Sequence, residues 1–121
     1  MARIMFVDDD PLTLETLKRS VELFEHEAIL ATSGDEAQKL IASQTPDLIM
    51  TDMNLPDMDG LSLVRQFKED PRVADIPVVV LSASPEVDAG DLSLDAGAEE
   101  FLTKPIRLQD LQDVINRHTS D

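Results

Sequence analysis

Residues 47–60 read DLIMTDMNLPDMDG, and this stretch sets the plan of the whole chain. Leu48-Ile49-Met50 is a short unbroken apolar run, the pattern of a strand buried on both faces. The expected strand covers Asp47–Thr51 and stops at Asp52. Asn54–Gly60 holds a proline, two aspartates and a glycine, so it reads as loop. Leu61, Val64 and Phe67 then recur at three-residue steps and mark a helix that ends near Asp70-Pro71.

The same alternation continues in both directions. Upstream, Ile4–Val7 is a short apolar strand, and Asp10-Pro11 is a helix start with Asp as cap and Pro in the first turn. Leu14, Leu17, Val21 and Phe24 predict an amphipathic helix over residues 11–25. Glu27–Ala31 is a second strand, and Ser33 or Asp35 caps a helix whose inner face is Ala37, Leu40 and Ile41. Downstream, Ile76–Leu81 is the clearest strand of the chain. Pro85-Glu86 opens a fourth helix, with Gly90 and Asp91 inside it, and Gly97 stops it. Gly90 is expected to loosen that helix. Glu99–Leu102 is a fifth strand, and Leu108, Leu111, Ile115 and His118 face inward from a last helix. Strands alternating with helices imply a parallel α/β sheet covered on both faces. Residues 1–121 are expected to form one domain.

Composition narrows the function. The chain has no cysteine, which removes disulfides, thiolate metal sites and cysteine nucleophiles. Twenty-five acidic residues against ten basic ones give −15, a surface that repels phosphate backbones and anionic membranes. No apolar run approaches a membrane span and no signal peptide is visible, so a cytoplasmic protein is expected.

In doubly wound sheets, ligands bind past the carboxyl ends of the strands. Asp8, Asp9 and Asp10 follow the first strand, Asp52 the third, Ser82 the fourth, and Lys104-Pro105 the fifth. Crowded carboxylates repel one another, and a hard cation such as Mg²⁺ relieves them with oxygen ligands alone. A lysine and a hydroxyl beside a metal suit a phosphoryl group, and an aspartate can be the nucleophile that accepts it. Taken singly, each residue has an ordinary explanation. Asp10 reads as a helix cap, Asp57 and Asp59 as turn residues, and a lone lysine as a solvated charge.

The carriers of a family resemblance are Val7-Asp8-Asp9-Asp10, the run from Asp52 to Gly60, Leu81-Ser82-Ala83, and Ala96-Gly97-Ala98 leading into Phe101-Leu102-Thr103-Lys104-Pro105. With these motifs the whole chain resembles the receiver domain of two-component response regulators, chemotaxis regulators included. The resemblance implies a flavodoxin-like five-stranded parallel sheet, in the order 2-1-3-4-5, with five helices. It implies phosphorylation of Asp52 by a kinase or phosphotransfer-protein phosphohistidine, without enzyme activity beyond that self-directed chemistry. It implies Mg²⁺ held by Asp9, Asp52, the Asn54 backbone carbonyl and, largely through water, Asp8. Lys104 would pair with the phosphoryl oxygens, and Ser82 would hydrogen-bond them. Phe101 would be the switch aromatic of an output face made by the fourth helix, fifth strand and last helix. The Lys104-Pro105 bond would be cis. Ser82 stands where Thr is commoner and Phe101 where Tyr is.

Two alternatives remain at this point. Phe6-Val7-Asp8-Asp9-Asp10-Pro11-Leu12 also echoes haloacid-dehalogenase-type phosphatases, with Asp8 as nucleophile and Asp10 as acid/base. Against that reading, Asp110 and Asp113 fall in the last helix rather than at a strand end, and Asp52 would have no role. A receiver-like module that signals by contact alone, without phosphate, is the other.

Overall fold

The structure, a computed structural model, describes residues 1–82 and 89–119. Its elements are β1 (Arg3–Val7), α1 (Pro11–Leu23), β2 (Glu27–Ala31), α2 (Gly34–Ile41), β3 (Leu48–Asp52), α3 (Gly60–Glu69), β4 (Val78–Ser82), α4 (Ala89–Ala96), β5 (Glu100–Thr103) and α5 (Leu108–Thr119). All strand pairs are parallel, and the order is β2-β1-β3-β4-β5. Strand order therefore reverses between β1 and β3, which opens a crevice at their carboxyl ends.

Alternation along the strands divides the core in two. Met5, Val7, Ile49, Val78 and Val80 face α2, α3 and α4, where they meet Ala37, Ile41, Leu63, Val64, Phe67 and Ala96. Ile4, Phe6, Leu48, Met50, Val79 and Leu81 face α1 and α5, where they meet Leu14, Leu17, Val21, Leu111, Val114 and Ile115. Each fully buried side chain of this kind contributes roughly 1.5–3 kcal/mol relative to exposure. Exposed ion pairs contribute ~1 kcal/mol or less, so the apolar core outweighs the salt bridges in holding the sheet.

The observed boundaries differ from the sequence expectation by a residue or two, each time for a local reason. Helix α1 ends at Leu23 because Phe24 caps it and Glu25 takes a left-handed φ of 66°. Ser33, not Asp35, caps α2 by accepting the Glu36 N–H. Strand β3 includes Asp52, and β4 begins at Val78 and takes in Ser82. Strand β5 starts at Glu100, one residue after Glu99, whose N–H donates to the Val78 carbonyl at 2.9 Å. Leu108 is exposed at the first position of α5, a turn before the helix meets the sheet, and Val114 takes a place on the inner face. The expected start of the fourth helix at Pro85-Glu86, and Ala83 before it, lie outside the described residues. Among the described residues no helix is long and apolar enough to cross a membrane.

Candidate functional site

The parallel register carries the functional residues to one rim. Val7 pairs with Thr51, Asp52 with Leu81, and Ser82 with Thr103. Asp8, Asp52, Ser82 and Lys104 therefore leave neighbouring strands at nearly the same height. The Lys104 N–H also donates to the Ser82 carbonyl at 2.8 Å, which carries the β4–β5 pairing one step past the strand ends.

Lys104 is the hub. Its Nζ lies 2.6 Å from Asp8 Oδ2 and 3.3 Å from Asp52 Oδ2. Burial works against the ammonium charge, but the two carboxylates outweigh it and hold the Lys104 pKa above the ordinary lysine value. The buried Asp8 is committed on both oxygens, since Oδ1 accepts the Asp10 N–H at 2.9 Å. Asp9 is exposed beside it. Asp8, Asp9 and Asp52 each offer one oxygen within 4.8 Å of the others, a spacing that fits a single cation. The Lys104-Pro105 peptide bond is cis.

The loop after β3 is held tightly. Asn54 N–H approaches Asp52 Oδ1 at 3.5 Å, and Asn54 pairs across the loop with Asp59. Asp59 caps α3 by accepting the Ser62 N–H at 2.7 Å. The Gly60 N–H donates to the Met53 carbonyl, and a Cβ on Gly60 would lie 2.1 Å from the Asp52 carbonyl oxygen. Glycine is required at that position by a close backbone approach rather than by φ. The turn reading of Asp57 and Asp59 understates both residues. Asp57 reaches a different helix, accepting the Gly34 and Asp35 N–H groups at 3.0 and 2.9 Å. These hydrogen bonds, with Gly34 first, lower the pKa of the exposed Asp57 carboxyl. Nothing in the local sequence identifies the partner of Asp57, which lies 22–23 residues away.

Ser82 is buried at the end of β4, one residue past the partner of Asp52. Phe101 is half-buried opposite Val80 and packs against the core under α2, α3 and α4. Beside the acids, a cavity of about 540 Å³ opens between α1 and the β5–α5 connection. Leu12, Thr16, Leu17, Pro105 and Ile106 line it, with Asp10 and Lys104 at its edge.

The phosphatase alternative does not fit this geometry. Asp10 is occupied as the α1 cap, accepting the Leu12 N–H at 3.1 Å and the Thr13 hydroxyl at 2.9 Å. These bonds, the Thr13 hydroxyl first, lower its pKa, the opposite of what a general acid needs. Asp110 and Asp113 bond to Arg107 and Gln109 along α5.

Residues 4–116 match the family model described as the response regulator receiver domain. The chain belongs to that family. The response regulator MprA of Mycolicibacterium vanbaalenii is 40% identical over 109 residues, 90% of this chain and 46% of that protein. The chain thus spans about half the length of the curated relatives it matches. The signal receiver domain of a signal transduction histidine kinase from Syntrophus aciditrophicus superposes with a TM-score of 0.91 at 32% identity, covering 99% of this chain and 91% of that one. The receiver domain of a sensor histidine kinase from Pseudomonas aeruginosa, whose structure holds a magnesium ion in its active-site cleft, gives 0.89 at 25% identity, covering 99% and 98%. This receiver domain is a signalling domain of the two-component kind, and its sheet order is the flavodoxin-like one.

Proposed function

We propose that residues 1–121 act as one phosphoacceptor domain and that Asp52 takes the phosphoryl group from a phosphohistidine on a histidine kinase or phosphotransfer protein. The observation that carries this reading is Lys104 bridging Asp8 and Asp52 while Asp9 stands within cation-sharing distance of both. An Asp52 oxygen attacks phosphorus as the P–N bond breaks, and the departing imidazole nitrogen takes up a proton. Lys104 moves its hydrogen bonding from carboxylate to phosphoryl oxygen, and the Ser82 hydroxyl hydrogen-bonds a second oxygen.

The donor set is oxygen only and carries three carboxylates, which suits Mg²⁺. Asp9, Asp52 and the Asn54 carbonyl would hold it directly. Asp8, with both oxygens already engaged, would hold it through water. When bound, Mg²⁺ neutralises charge that gathers on the phosphoryl oxygens.

The cavity beside α1, with Leu12 exposed at its mouth, offers an apolar seat next to the acceptor for the donor protein. The output face is that of α4, β5 and α5. Leu92, Leu94 and Leu108 are exposed there, and Phe101 repacks when Ser82 is drawn toward the phosphoryl group. The −15 charge opposes direct nucleic-acid contact and membrane binding by this domain and accords with a cytoplasmic setting.

Intact mass after incubation with acetyl phosphate and Mg²⁺ tests the assignment. Wild type should gain one phosphoryl group, and Asp52→Asn should gain none. A phosphoryl group retained by Asp52→Asn, or mapped to Asp8, overturns it.

A further inference from the structure

The loop from Met53 to Asp59 has two attachments. On one side it is part of the site: the Asn54 amide faces Asp52, the Met53 carbonyl receives the Gly60 N–H, and Asp59 caps α3. On the other side Asp57 crosses to the start of α2, and Met58 lies against Gly34 so closely that a Cβ there would sit 2.6 Å from its sulfur.

Helix α2 would not need this arm merely to be capped. Ser33 accepts the Glu36 N–H, its own carbonyl accepts the Ala37 N–H, and Glu36 folds back onto the N–H of Thr32, one residue before the cap. Asp57 covers the remaining Gly34 and Asp35 N–H groups. The first-turn donors are thus shared between one local residue and one residue of the site loop. A charged acceptor on two amides fixes the carboxylate in two directions, and with it the backbone that carries it.

We infer that Asp57 is a positioning residue for the cation site, clamping the Asn54 segment against Asp52 through the N-terminus of α2. The inference rests on the cation reading above. It makes α2, which contributes no residue to the site, a support for it. A cation that must be held partly by a loop carbonyl binds best when that loop is already in place, and outer supports of metal sites commonly matter as much as this.

Isothermal titration with MgCl₂, on the full chain, tests it against a matched control. Asp57→Ala should weaken Mg²⁺ binding roughly tenfold, the low end for loss of an outer-shell support. Ser33→Ala weakens the same helix cap without touching the loop, so it should lower the melting temperature and leave Mg²⁺ affinity unchanged. Asp57→Asn keeps one acceptor oxygen and should recover part of the affinity, and it serves if the alanine variant does not fold. Wild-type affinity in Asp57→Ala, or an equal loss in Ser33→Ala, overturns the positioning role alone. Failure of wild type to bind Mg²⁺, or unchanged binding in Asp9→Ala, overturns the cation reading and this inference with it.

Discussion

Two lysines with the same 20% side-chain exposure sit at opposite ends of the sheet, and they are used in opposite ways. At the amino rim, Lys68 donates to the Ile76 carbonyl at 2.9 Å, the Ala74 carbonyl at 3.5 Å and Glu99 at 2.7 Å. The second oxygen of Glu99 accepts the Val78 N–H. One cation meets one carboxylate, and the remaining donors go to carbonyls. At the carboxyl rim, Lys104 faces two carboxylates, with Asp9 a third nearby. The first cluster is complete as it stands and ties α3, β4 and β5 together. The second has surplus negative charge and gains from a further cation. Two equally exposed lysines thus make a latch in one place and a crowded acidic rim in the other. The number of carboxylates around each lysine and their burial, 38% exposed for Glu99 against 5% and 14% for Asp8 and Asp52, make the difference.

The glycines beside each cluster should show the contrast most strongly. A Cβ on Gly60 would meet the Asp52 carbonyl at 2.1 Å and the Met53 Cα at 2.9 Å, both backbone atoms that cannot step aside. Gly60→Ala should therefore cost at or beyond the ~3 kcal/mol upper end usual for overpacking, and should also disturb Mg²⁺ binding. Gly97 has a φ of +114°, and the nearest atoms its Cβ would meet belong to the Lys68 side chain, with Cγ at 2.9 Å. Gly97→Ala should cost ~1–3 kcal/mol of backbone strain and leave Mg²⁺ binding as it was. Urea melts with and without Mg²⁺ separate the two. Equal Mg²⁺ effects in both variants would remove the distinction between the rims.

Replacing the lysines themselves sharpens the comparison. Lys68→Met strands two carbonyls and a carboxylate, so it should lose ~1–3 kcal/mol at every Mg²⁺ concentration. Its phosphorylation by acetyl phosphate should be normal. Lys104→Met should lose stability chiefly when Mg²⁺ is absent, because Asp8 and Asp52 then face each other without a cation. Added Mg²⁺ should restore it by a larger increment than in wild type. A Lys104→Met protein whose melting responds to Mg²⁺ less than wild type does would show that the surplus charge is not what the cation relieves.

This contrast also explains what the sequence discloses. The strand–helix alternation and the rim residues Asp8, Asp9, Asp52, Ser82 and Lys104 are legible because periodicity and position after a strand encode them locally, whereas strand order joins distant segments and follows only from the family resemblance. The cap at Asp10 is likewise encoded locally, and the cap of α2 is legible only as a choice between Ser33 and Asp35. The Lys68–Glu99 latch and the Asp57–α2 clamp are not legible, since each joins groups 22 to 31 residues apart in the chain with no local pattern. Leu108 misleads because periodicity predicts a face but not where along its length a helix meets the sheet.

The smallest expected effect lies at the amino rim, in His26, just before β2. Its Nδ1 accepts the Ala2 N–H at 2.9 Å, which requires an unprotonated nitrogen there. Burial and then the N-terminal ammonium lower its pKa from 6.5, and Glu25 opposes them without prevailing. A histidine with a lowered folded pKa stabilises the fold in its neutral form. That contribution is complete above 6.5, shrinks as the unfolded chain protonates below it, and levels off once the folded ring protonates too. The loss should stay below ~1 kcal/mol, because the ring is only partly buried and screened by solvent. Melting temperatures from pH 8 to pH 5.5, compared between wild type and His26→Gln, isolate it from carboxylate titration, which both proteins share. The wild type should lose more stability than the variant across that interval. The same slope in both, or a wild type that gains on acidification relative to the variant, would mean that the Ala2–His26 bond does not depend on the neutral ring.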